Sequence, residues 1–358
     1  MKPTHLILVI LLLLASACSS KTSKYSDRFP VGQNGKWGYI DGTGKMVIAP
    51  QFDNVGLFSE GLAPVGVGTK FGYINPEGQF VINPQFERES SLTIDPATPC
   101  ECTFSEGLAA VRIDTKWGYI DKTGKQVIAP QFERAGFFID GLASVMLGGK
   151  FGYVDKTGRY VINPRFDFAG PFVDGVAVIR TDKGSLAQYG FVDKTGKTVM
   201  LAFGSASLNA TPYEKAEWPA PWNGGESAFV DKSGAGVFQA KFQYALFFTE
   251  GLAPVKAGDK WGYINRDGKV MINPQFASAS NFFEGLAAVS VGDEVKEGQN
   301  VGFIDKTGKI VINPQYYAAY RFVDGLALVW TNNNGRQLIA YIDRQGKTIF
   351  GPVDPNKH

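Results

Sequence analysis

Short apolar runs separated by turn residues recur along this chain. Each of the first six runs holds three or four residues, rich in β-branched and aromatic side chains, and glycine, proline or aspartate follows within two positions. The first six runs are Phe29–Val31, Trp37–Ile40, Met46–Ile48, Leu62–Val65, Phe71–Ile74 and Phe80–Ile82. Short strands with turn signals at regular spacing are typical of an all-β array. The pattern therefore predicts three antiparallel strands per unit.

The runs belong to an internal repeat. The segment Lys116–Phe132 restates Lys36–Phe52 almost letter for letter, and Lys260–Phe276 does so again. A central position marks each of about nine units between Phe29 and Pro352: Gly38, Gly72, Gly118, Gly152, Gly190, Ala228, Gly262, Gly302 and Ala340. Internal repetition of this kind usually builds an extended surface rather than one catalytic pocket.

Composition distinguishes a β repeat from a helical one of similar period. The chain has 43 Gly and 19 Pro, placed at fixed offsets where a helix would be broken. The segment Asp121–Gly124 has Asp first and Gly fourth, as in a type I turn. Proline at positions such as Pro130 is expected to end the third strand, because it supplies no ladder donor.

Apolar residues lie on both faces of the predicted central strand. Alternation places Trp117 and Tyr119 on one side and Ile120 on the other. A sheet that is apolar on both faces must be covered on both, so neighbouring units are expected to stack. Gly118 would then allow the backbone of the adjacent unit to approach closely.

Two arrangements of the nine units remain open. Three strands per unit are few for a propeller blade, and nine units exceed the usual blade number. No strand offset at either end is visible that would close a ring. The sequence therefore favours an open, superhelical β-solenoid, with a closed β-propeller as the alternative.

The N-terminal segment predicts export. Residues 1–17 join Lys2 to an apolar run that is too short to span a bilayer, as in a signal peptide. Small residues lead into Cys18, which resembles a bacterial lipobox and predicts lipid attachment there. An ordinary signal peptide cleaved after Ala17 is the alternative. Ser19 after the cysteine resembles the pattern of Gram-negative outer-membrane lipoproteins.

The rest of the chain divides simply. Residues 18–28 are polar and small and predict a flexible tether. Residues 29–353 form the repeat domain, with irregular insertions at 87–103 and 201–227, and residues 354–358 are a tail.

Charge and histidine content exclude several function classes. The 36 basic and 34 acidic residues are spread evenly and leave a net charge of +2, which argues against a nucleic-acid partner. The two histidines are His5, within the signal segment, and His358, at the last position. A Ser-His-Asp or Cys-His grouping within the repeats is thereby excluded. We expect no cofactor and no metal site.

Cys100 and Cys102 lie in the first insertion. Oxidation after export would join them in a disulfide. Free thiols and, less readily, a metal or redox role are the alternatives.

These repeated motifs resemble the bacterial WG repeat family. The resemblance covers most of the chain after the signal segment, with Phe71, Phe151, Tyr189 and Val301 as departures at the tryptophan position. It implies β-structured repeats in bacterial, often exported, proteins. It implies no agreed enzymatic activity and no general ligand.

Three candidate sites follow from the residues. The second insertion carries Tyr213, Trp218 and Trp222, whose rings would suit sugar stacking or a partner protein; the alternative is a loop that plugs a gap between units. The repeated Lys-Trp pairs at Lys36, Lys116 and Lys260 suggest a cation–π cage, or core tryptophans with lysines at the rim. The recurring acidic-Gly corners suggest glycosidase carboxylates, but seven equivalent copies favour a role in turns. They are Glu60, Glu106, Asp140, Asp174, Glu250, Glu284 and Asp324.

Two functions remain. The first is a non-enzymatic, lipid-anchored envelope protein that binds a protein or glycan through its repeat surface. The second is an enzyme acting on cell-wall or extracellular glycan, with Glu214, Glu217 and Glu226 as the first candidates for its carboxylates. The sequence favours the first.

Overall fold

The computed structural model describes residues 27–87, 100, 102–183, 186–204, 218–221, 227–230, 242–292, 301–333 and 336–354. Within these ranges the chain forms strands and turns, arranged in nine small antiparallel sheets. The all-β repeat array predicted from the sequence is confirmed. No helix in the described ranges has the length and apolar character needed to cross a membrane.

The first five sheets follow chain order. Sheet 1 contains β1 (Phe29–Gln33), β2 (Lys36–Ile40) and β3 (Met46–Phe52). Sheet 2 contains β4 (Asn54–Val55), β5 (Ala63–Val67), β6 (Lys70–Ile74) and β7 (Phe80–Glu87). Sheet 3 contains β8 (Leu108–Ile113), β9 (Lys116–Asp121) and β10 (Gln126–Phe132). Sheet 4 contains β11 (Arg134–Ala135), β12 (Ala143–Leu147), β13 (Lys150–Val154) and β14 (Tyr160–Phe166). Sheet 5 contains β15 (Phe168–Val173), β16 (Val176–Lys183), β17 (Leu186–Asp193) and β18 (Thr198–Gly204).

The last four sheets continue the series. Sheet 6 contains β19 (Trp218–Pro221) and β20 (Ser227–Val230). Sheet 7 contains β21 (Tyr244–Ala245), β22 (Leu252–Ala257), β23 (Lys260–Asn265) and β24 (Val270–Phe276). Sheet 8 contains β25 (Ser278–Ala279), β26 (Leu286–Ser290), β27 (Val301–Asp305) and β28 (Ile310–Tyr316). Sheet 9 contains β29 (Ala318–Ala319), β30 (Leu326–Asn333), β31 (Arg336–Asp343) and β32 (Thr348–Val353).

A regular sheet has a short strand, a first long strand, a central strand and an edge strand, in that order. Sheet 4 is an example, with β11 next to β12, then β13, then β14. The three predicted strands per unit are present, and the short strand is an addition that the sequence analysis missed. One residue separates the edge strand of one sheet from the short strand of the next, as Glu133 does between β10 and β11. The chain therefore passes directly from sheet to sheet.

The central glycine contacts its own sheet rather than its neighbour. A Cβ atom placed on Gly118 would lie 2.5 Å from the Ile128 carbonyl oxygen and 2.8 Å from the Pro130 nitrogen. These atoms belong to β10, the edge strand of the same sheet, whose register with β9 shifts there. The expected approach of an adjacent unit at Gly118 was therefore wrong. A bulged edge strand takes that space instead.

Proline lies inside the edge strand and does not end it. Strand β10 runs through Pro130 to Phe132, and Phe132 pairs with Trp117 beyond the register shift. Because a bulge leaves one residue out of the ladder, it accommodates a residue with no amide hydrogen. The expected strand end at Pro130 was wrong for this reason. Bulges and proline also protect an exposed strand edge from pairing with other chains.

The hydrophobic core lies between sheets. One cluster packs Leu108, Tyr119 and Ile128 of sheet 3 against Val145 and Val154 of sheet 4. Comparable clusters join sheets 1 and 2, 2 and 3, 4 and 5, 6 and 7, 7 and 8, and 8 and 9. Both faces of sheets 2, 3, 4, 7 and 8 are therefore covered by their neighbours, as the apolar pattern predicted.

A buried tyrosine hydroxyl bonds each of several sheets to the next. Tyr119 is 1% exposed, and its hydroxyl donates to the Gly136 carbonyl 2.8 Å away in the chain entering sheet 4. The equivalent hydroxyls bond Tyr39 to Gly56, Tyr73 to Cys102, Tyr153 to Gly170 and Tyr263 to Ser280. Burial raises the pKa of Tyr119, so this phenol stays protonated and remains a donor.

The first and last sheets meet. The Tyr341 hydroxyl of sheet 9 donates to the Pro30 carbonyl of sheet 1 over 3.0 Å, although the two residues are 311 positions apart. The Phe29 and Tyr341 rings lie 5.5 Å apart, in a cluster that also contains Val31 and Leu328. Since an open superhelix would separate its ends, these contacts correct the preference for an open array. They agree with the closed alternative. At the boundary between sheets 9 and 1, called the seam below, no strand of one end joins the sheet of the other.

We predict that the seam bond stabilises the fold as much as an interior one. Tyr341→Phe and Tyr119→Phe each leave one buried carbonyl without its donor, and each should lower the free energy of unfolding by about 1–3 kcal/mol. Denaturant unfolding of both variants and the wild type measures this loss. If Tyr119→Phe is destabilising while Tyr341→Phe matches the wild type, the ring is open in solution.

Candidate functional site

Each sheet has two ends, and the ends of successive sheets form two rims. In sheet 3, Leu108 pairs with Asp121 at one end, and Ile113 pairs with Lys116 at the other. The turn rim is the set of ends that carry the Asp-x-x-Gly turns and the acidic-Gly corners. The hairpin rim is the opposite set, with the tips between first and central strands and the last residues of the edge strands.

Aspartate side chains fix the turns of the turn rim. Asp121 Oδ1 accepts hydrogen bonds from Thr123 Oγ1 at 2.6 Å, Thr123 N at 2.9 Å and Lys125 N at 3.0 Å. The hydrogen bond from the Thr123 hydroxyl is the main reason why the pKa of the Asp121 carboxyl is lowered. Gly124 N donates to the Asp121 carbonyl at 2.9 Å, which closes the predicted turn. Asn265 makes the equivalent bonds with its amide oxygen.

The acidic corners join neighbouring sheets on the same rim. Glu106 has a φ of 53° and Gly107 a φ of 87°, so both central residues of this tight turn are left-handed. The Glu106 carboxylate accepts Gly141 N at 3.1 Å and pairs with Lys156 Nζ at 3.1 Å, both in sheet 4. Equivalent ion pairs join Glu60 to Lys122, Asp140 to Lys194 and Glu250 to Lys306. These carboxylates hold sheets together.

Carboxylates on the hairpin rim have a similar task in the first half of the chain. Asp53 pairs with Lys36 Nζ of sheet 1 at 2.6 Å and accepts Gly68 N of sheet 2 at 2.6 Å. The corresponding pairs are Lys70 with Glu87 and Lys150 with Asp167. The suggested Lys-Trp cage therefore has another explanation, since Lys36 bonds Asp53 and Trp117 is buried in the core between sheets 3 and 4.

Five irregular segments adjoin the hairpin rim. Residues 183–186 and 333–336 are at the tips of the long hairpins β16–β17 and β30–β31, and residues 291–300 join β26 to β27. Residues 88–99 follow Glu87, which pairs with Lys70 at the same rim, and residues 205–217 follow Gly204, which pairs with Gln188. These five length variations therefore lie at one rim, while the described turns on the other rim, such as Asp121–Gly124 and Asp305–Gly308, keep their regular bonds.

A cleft of about 370 Å³ opens on the hairpin rim at the seam. Gln33 and Asn34 of sheet 1 line one side. The other side belongs to sheet 9 and the residues after it: Arg336, Leu338, Pro352, Val353 and Asp354.

Cys100 and Cys102 are joined by a disulfide in the structure. Both residues are 6% exposed, and their Cα atoms are 5.1 Å apart. The Cys102 carbonyl accepts the Tyr73 hydroxyl at 2.6 Å, the position that Gly136 fills for Tyr119. The disulfide segment therefore occupies the place of a short strand in sheet 3. The spacing Cys-x-Cys gave no sign of this packing role.

Several candidates lie outside the described residues. They are Cys18, Tyr213, Trp222, Glu214, Glu217 and Glu226. Trp218 begins β19, and its backbone pairs with Val230 of β20. In the described ranges, no three His, Cys, Asp or Glu side chains are grouped as metal ligands.

The fold and the rims define a class of protein, a tandem array of small β sheets in which each unit bonds the next. The particular family follows from the sequence match. The chain belongs to the family described as WG containing repeat, and the matched residues make up more than half of its length. They are 37–70, 71–88, 117–151, 151–184, 228–261, 261–294 and 302–334. No curated protein matches the chain.

Several solved structures are distantly similar. Apo AztD from Citrobacter koseri has 13% identity, covers 90% of this chain and 93% of its own, and gives a TM-score of 0.36. A quinonprotein alcohol dehydrogenase-like protein from Bacteroides thetaiotaomicron has 10% identity, coverage of 94% and 77%, and a TM-score of 0.38. The AfRom2 CNH domain has 9% identity, coverage of 66% and 91%, and a TM-score of 0.33. At this level of likeness no activity transfers to this chain.

We predict that the turn aspartates make the protein sensitive to acid. The folded-state pKa of Asp121 lies below its unfolded value of about 3.9. The Asp121 carboxylate therefore stabilises the fold fully above about pH 3.9, and this stabilisation is lost as pH falls through the folded-state pKa. Replacing Asp121, Asp155 and Asp305 with Asn keeps the acceptor that Asn265 already provides. The triple variant should unfold at a slightly lower temperature than the wild type at pH 7, because an amide oxygen accepts more weakly than a carboxylate.

Melting temperatures measured between neutral pH and about pH 3 test this prediction. The variant should lose less stability than the wild type below about pH 4, because three titrating groups are gone. Parallel curves for the two proteins would contradict the assignment.

Proposed function

We propose that this chain is a lipid-anchored cell-envelope protein that binds a protein or glycan partner through its hairpin rim, without catalysing a reaction. The observation that carries the proposal is the position of five irregular segments at that rim. In repeat proteins, insertions on one face often form the binding face. On the opposite rim, the corner carboxylates Glu60, Glu106 and Glu250 already form bonds between sheets.

The use of the carboxylates supports a role in binding. A hydrolase acting on glycans needs two carboxylates in different environments at a set separation. Here Glu60, Glu106 and Glu250 are equivalent, and each bonds the next sheet. Their recurrence is explained by assembly of the array.

The sequence supports the membrane anchor and the location. The apolar run before Cys18 is short, and small residues lead directly into the cysteine. Two or more acyl chains on one residue give stable anchoring, since each buried methylene contributes about 0.8 kcal/mol. Residues 18–28 then tether the array to the outer membrane of a Gram-negative envelope.

We predict that the partner is lost when the aromatic residues of the second insertion are removed. The wild type and a Tyr213→Ala, Trp218→Ala, Trp222→Ala variant are compared as baits in a pull-down from detergent-solubilised envelopes. The bait should retain a protein or glycan that the variant does not, because large aromatic side chains dominate binding energy at interfaces.

A turn-rim variant with Lys125→Gln and Lys309→Gln serves as the control, since both lysines are exposed on the opposite rim. It should keep the partner. Equal retention by all three baits would place binding away from the insertion, and a bait that captures nothing would count against the binding function.

We also predict that Cys18 holds the protein to the membrane. Cys18→Ser removes the thiol that would carry the lipid, so the protein should move from the membrane fraction to the soluble fraction. Intact mass of the purified wild type should exceed that of the polypeptide by its acyl groups. Ser20→Ala is the control and should remain membrane-bound; an unmodified, soluble wild type would refute the anchor.

A further inference from the structure

The chain enters the array at the turn rim. Phe29, the first residue of β1, pairs with Ile40, which directly precedes the turn of sheet 1. The Arg28 side chain is 19% exposed, and its Nε donates to the Pro76 carbonyl in the turn of sheet 2 at 3.5 Å. The segment that precedes the array is therefore joined to this rim, whereas the five irregular segments adjoin the opposite one.

We propose that the turn rim rests on the phospholipid bilayer, where a set of exposed apolar side chains enters the headgroup layer, and that the hairpin rim faces away from the membrane. This inference rests on the lipid anchor at Cys18 under the proposed function. It adds an orientation and a second membrane contact, and it leaves the hairpin rim open to a partner in the aqueous space.

The length of chain before the array favours this orientation. Nine residues, 18–26, precede the first described residue, Asp27, and they reach at most about 30 Å. Strand β30 has eight residues, so the distance between the rims is about 25 Å. Turning the hairpin rim to the bilayer would therefore require an almost fully extended chain along the side of the array. The turn rim can approach the bilayer without that extension.

A set of exposed hydrophobic side chains lies beside the turn rim. They occupy the first two positions of edge strands, which begin two residues after the turn glycine. Val127 of β10 is 42% exposed, for example, and Met271 of β24 is 50% exposed. This set, called the apolar collar, extends over sheets 2 to 4, 7 and 8. Its members are Phe80, Val81, Val127, Val161, Val270, Met271, Ile310 and Val311.

The exposed hydrophobic residues of the hairpin rim are more scattered. In the described part of that rim no two are adjacent in the chain; they are Val67, Leu147, Tyr244, Val291 and Tyr317. In the collar, sheets 2, 7 and 8 each contribute two adjacent side chains. The second-position residues of sheets 1, 5 and 9 are half-buried: Val47, Val199 and Ile349. The larger apolar surface therefore lies on the rim to which the anchored segment is joined.

Charged side chains beside the collar suit a headgroup layer. An exposed basic residue directly precedes four of the five collar strands: Lys125, Arg159, Lys269 and Lys309. The stems of such side chains cover apolar surface while their charged ends stay at the interface. Carboxylates such as Asp121 and Glu106 share this rim, so net charge is not expected to drive the contact. The collar supplies the attraction, since binding at a bilayer surface scales with the apolar area buried.

A bilayer fits the collar better than a protein partner does. Protein interfaces depend on a compact centre from which water is excluded, whereas the collar is spread over five sheets. A bilayer surface is wide and deformable and can reach all of them. Anchoring at Cys18 raises the effective concentration of that surface, so a weak contact at each sheet is sufficient.

Quenching of a bimane label by lipids brominated on their acyl chains tests the orientation. The full-length lipoprotein is reconstituted in phosphatidylcholine vesicles after Gln126→Cys, which places the label at the turn rim of sheet 3, or Thr115→Cys, which places it at the hairpin tip of the same sheet. Cys18 is blocked by its lipid, and Cys100 and Cys102 by their disulfide. The turn-rim label should be quenched about twofold more or better, since apolar groups at a bilayer surface are buried about 5–10 Å deep.

A collar variant replaces four exposed side chains in the Gln126→Cys background: Val127→Ser, Val161→Ser, Met271→Ser and Val311→Ser. Its quenching should fall to the level of the hairpin label, although the protein stays with the vesicles through its anchor. A matched control with Val67→Ser and Leu147→Ser changes similarly exposed residues on the hairpin rim and should leave quenching unchanged. Wild-type quenching should also persist in about 1 M salt, where the Debye length is about 3 Å.

Equal quenching of the two labels, stronger quenching at Thr115, or no quenching of either would overturn the inference. So would quenching that the collar variant keeps or that high salt removes. A turn-rim label that is shielded in native envelopes but not in lipid vesicles would assign the collar to a protein instead. If Cys18→Ser releases the protein from vesicles in any of these cases, the anchor stands and only the orientation fails. All the substituted side chains are exposed, so the variants should fold.

Discussion

The array depends on a hydrogen bond that a buried tyrosine makes to the next unit. A phenol hydroxyl removed from water must find an acceptor, or burial of the ring costs free energy. The acceptor is a backbone carbonyl that belongs to the neighbouring sheet, such as Gly136 for Tyr119. The hydroxyl of each such tyrosine is therefore hydrogen-bonded only when the next sheet is in place. Packing of the apolar side chains and hydrogen bonding of the buried hydroxyl therefore require the same spacing between units.

The two rims differ in their structural roles. On the turn rim, a carboxylate such as Glu106 bonds a backbone amide and a lysine of the next sheet, so a change there affects two units. On the hairpin rim, chain length and composition vary because the tips bear little of the core. Binding surfaces are commonly built on variable loops positioned by a rigid scaffold. In sheets such as sheet 3 the scaffold and the variable surface lie at opposite ends of the long strands.

Local pattern was enough to predict the strands and turns, but not their packing. The run Trp117–Ile120 and the turn at Asp121 were correct because their signals lie within a few residues of one another. Gly118 and Pro130 were assigned wrongly because both depend on a bulge, which the alternation of side chains does not reveal. Ring closure depends on Tyr341 and Pro30, which no local pattern connects. The packing of Cys102 under Tyr73 was equally hidden, since it replaces a strand of unrelated sequence.

The seam between sheets 9 and 1 has a consequence for how such a chain can evolve. Tyr341 occupies the same repeat position as Tyr119, and its hydroxyl bonds sheet 9 to sheet 1. The boundary between the two ends of the array is therefore held like a boundary between interior sheets. Duplication or loss of a single unit would change the angle between neighbouring sheets at every other boundary of the ring. Growth by whole repeats is therefore costly in a closed ring, whereas growth by loops is not. New recognition is expected to arise by lengthening tips, and circular permutation at any unit boundary should preserve the fold.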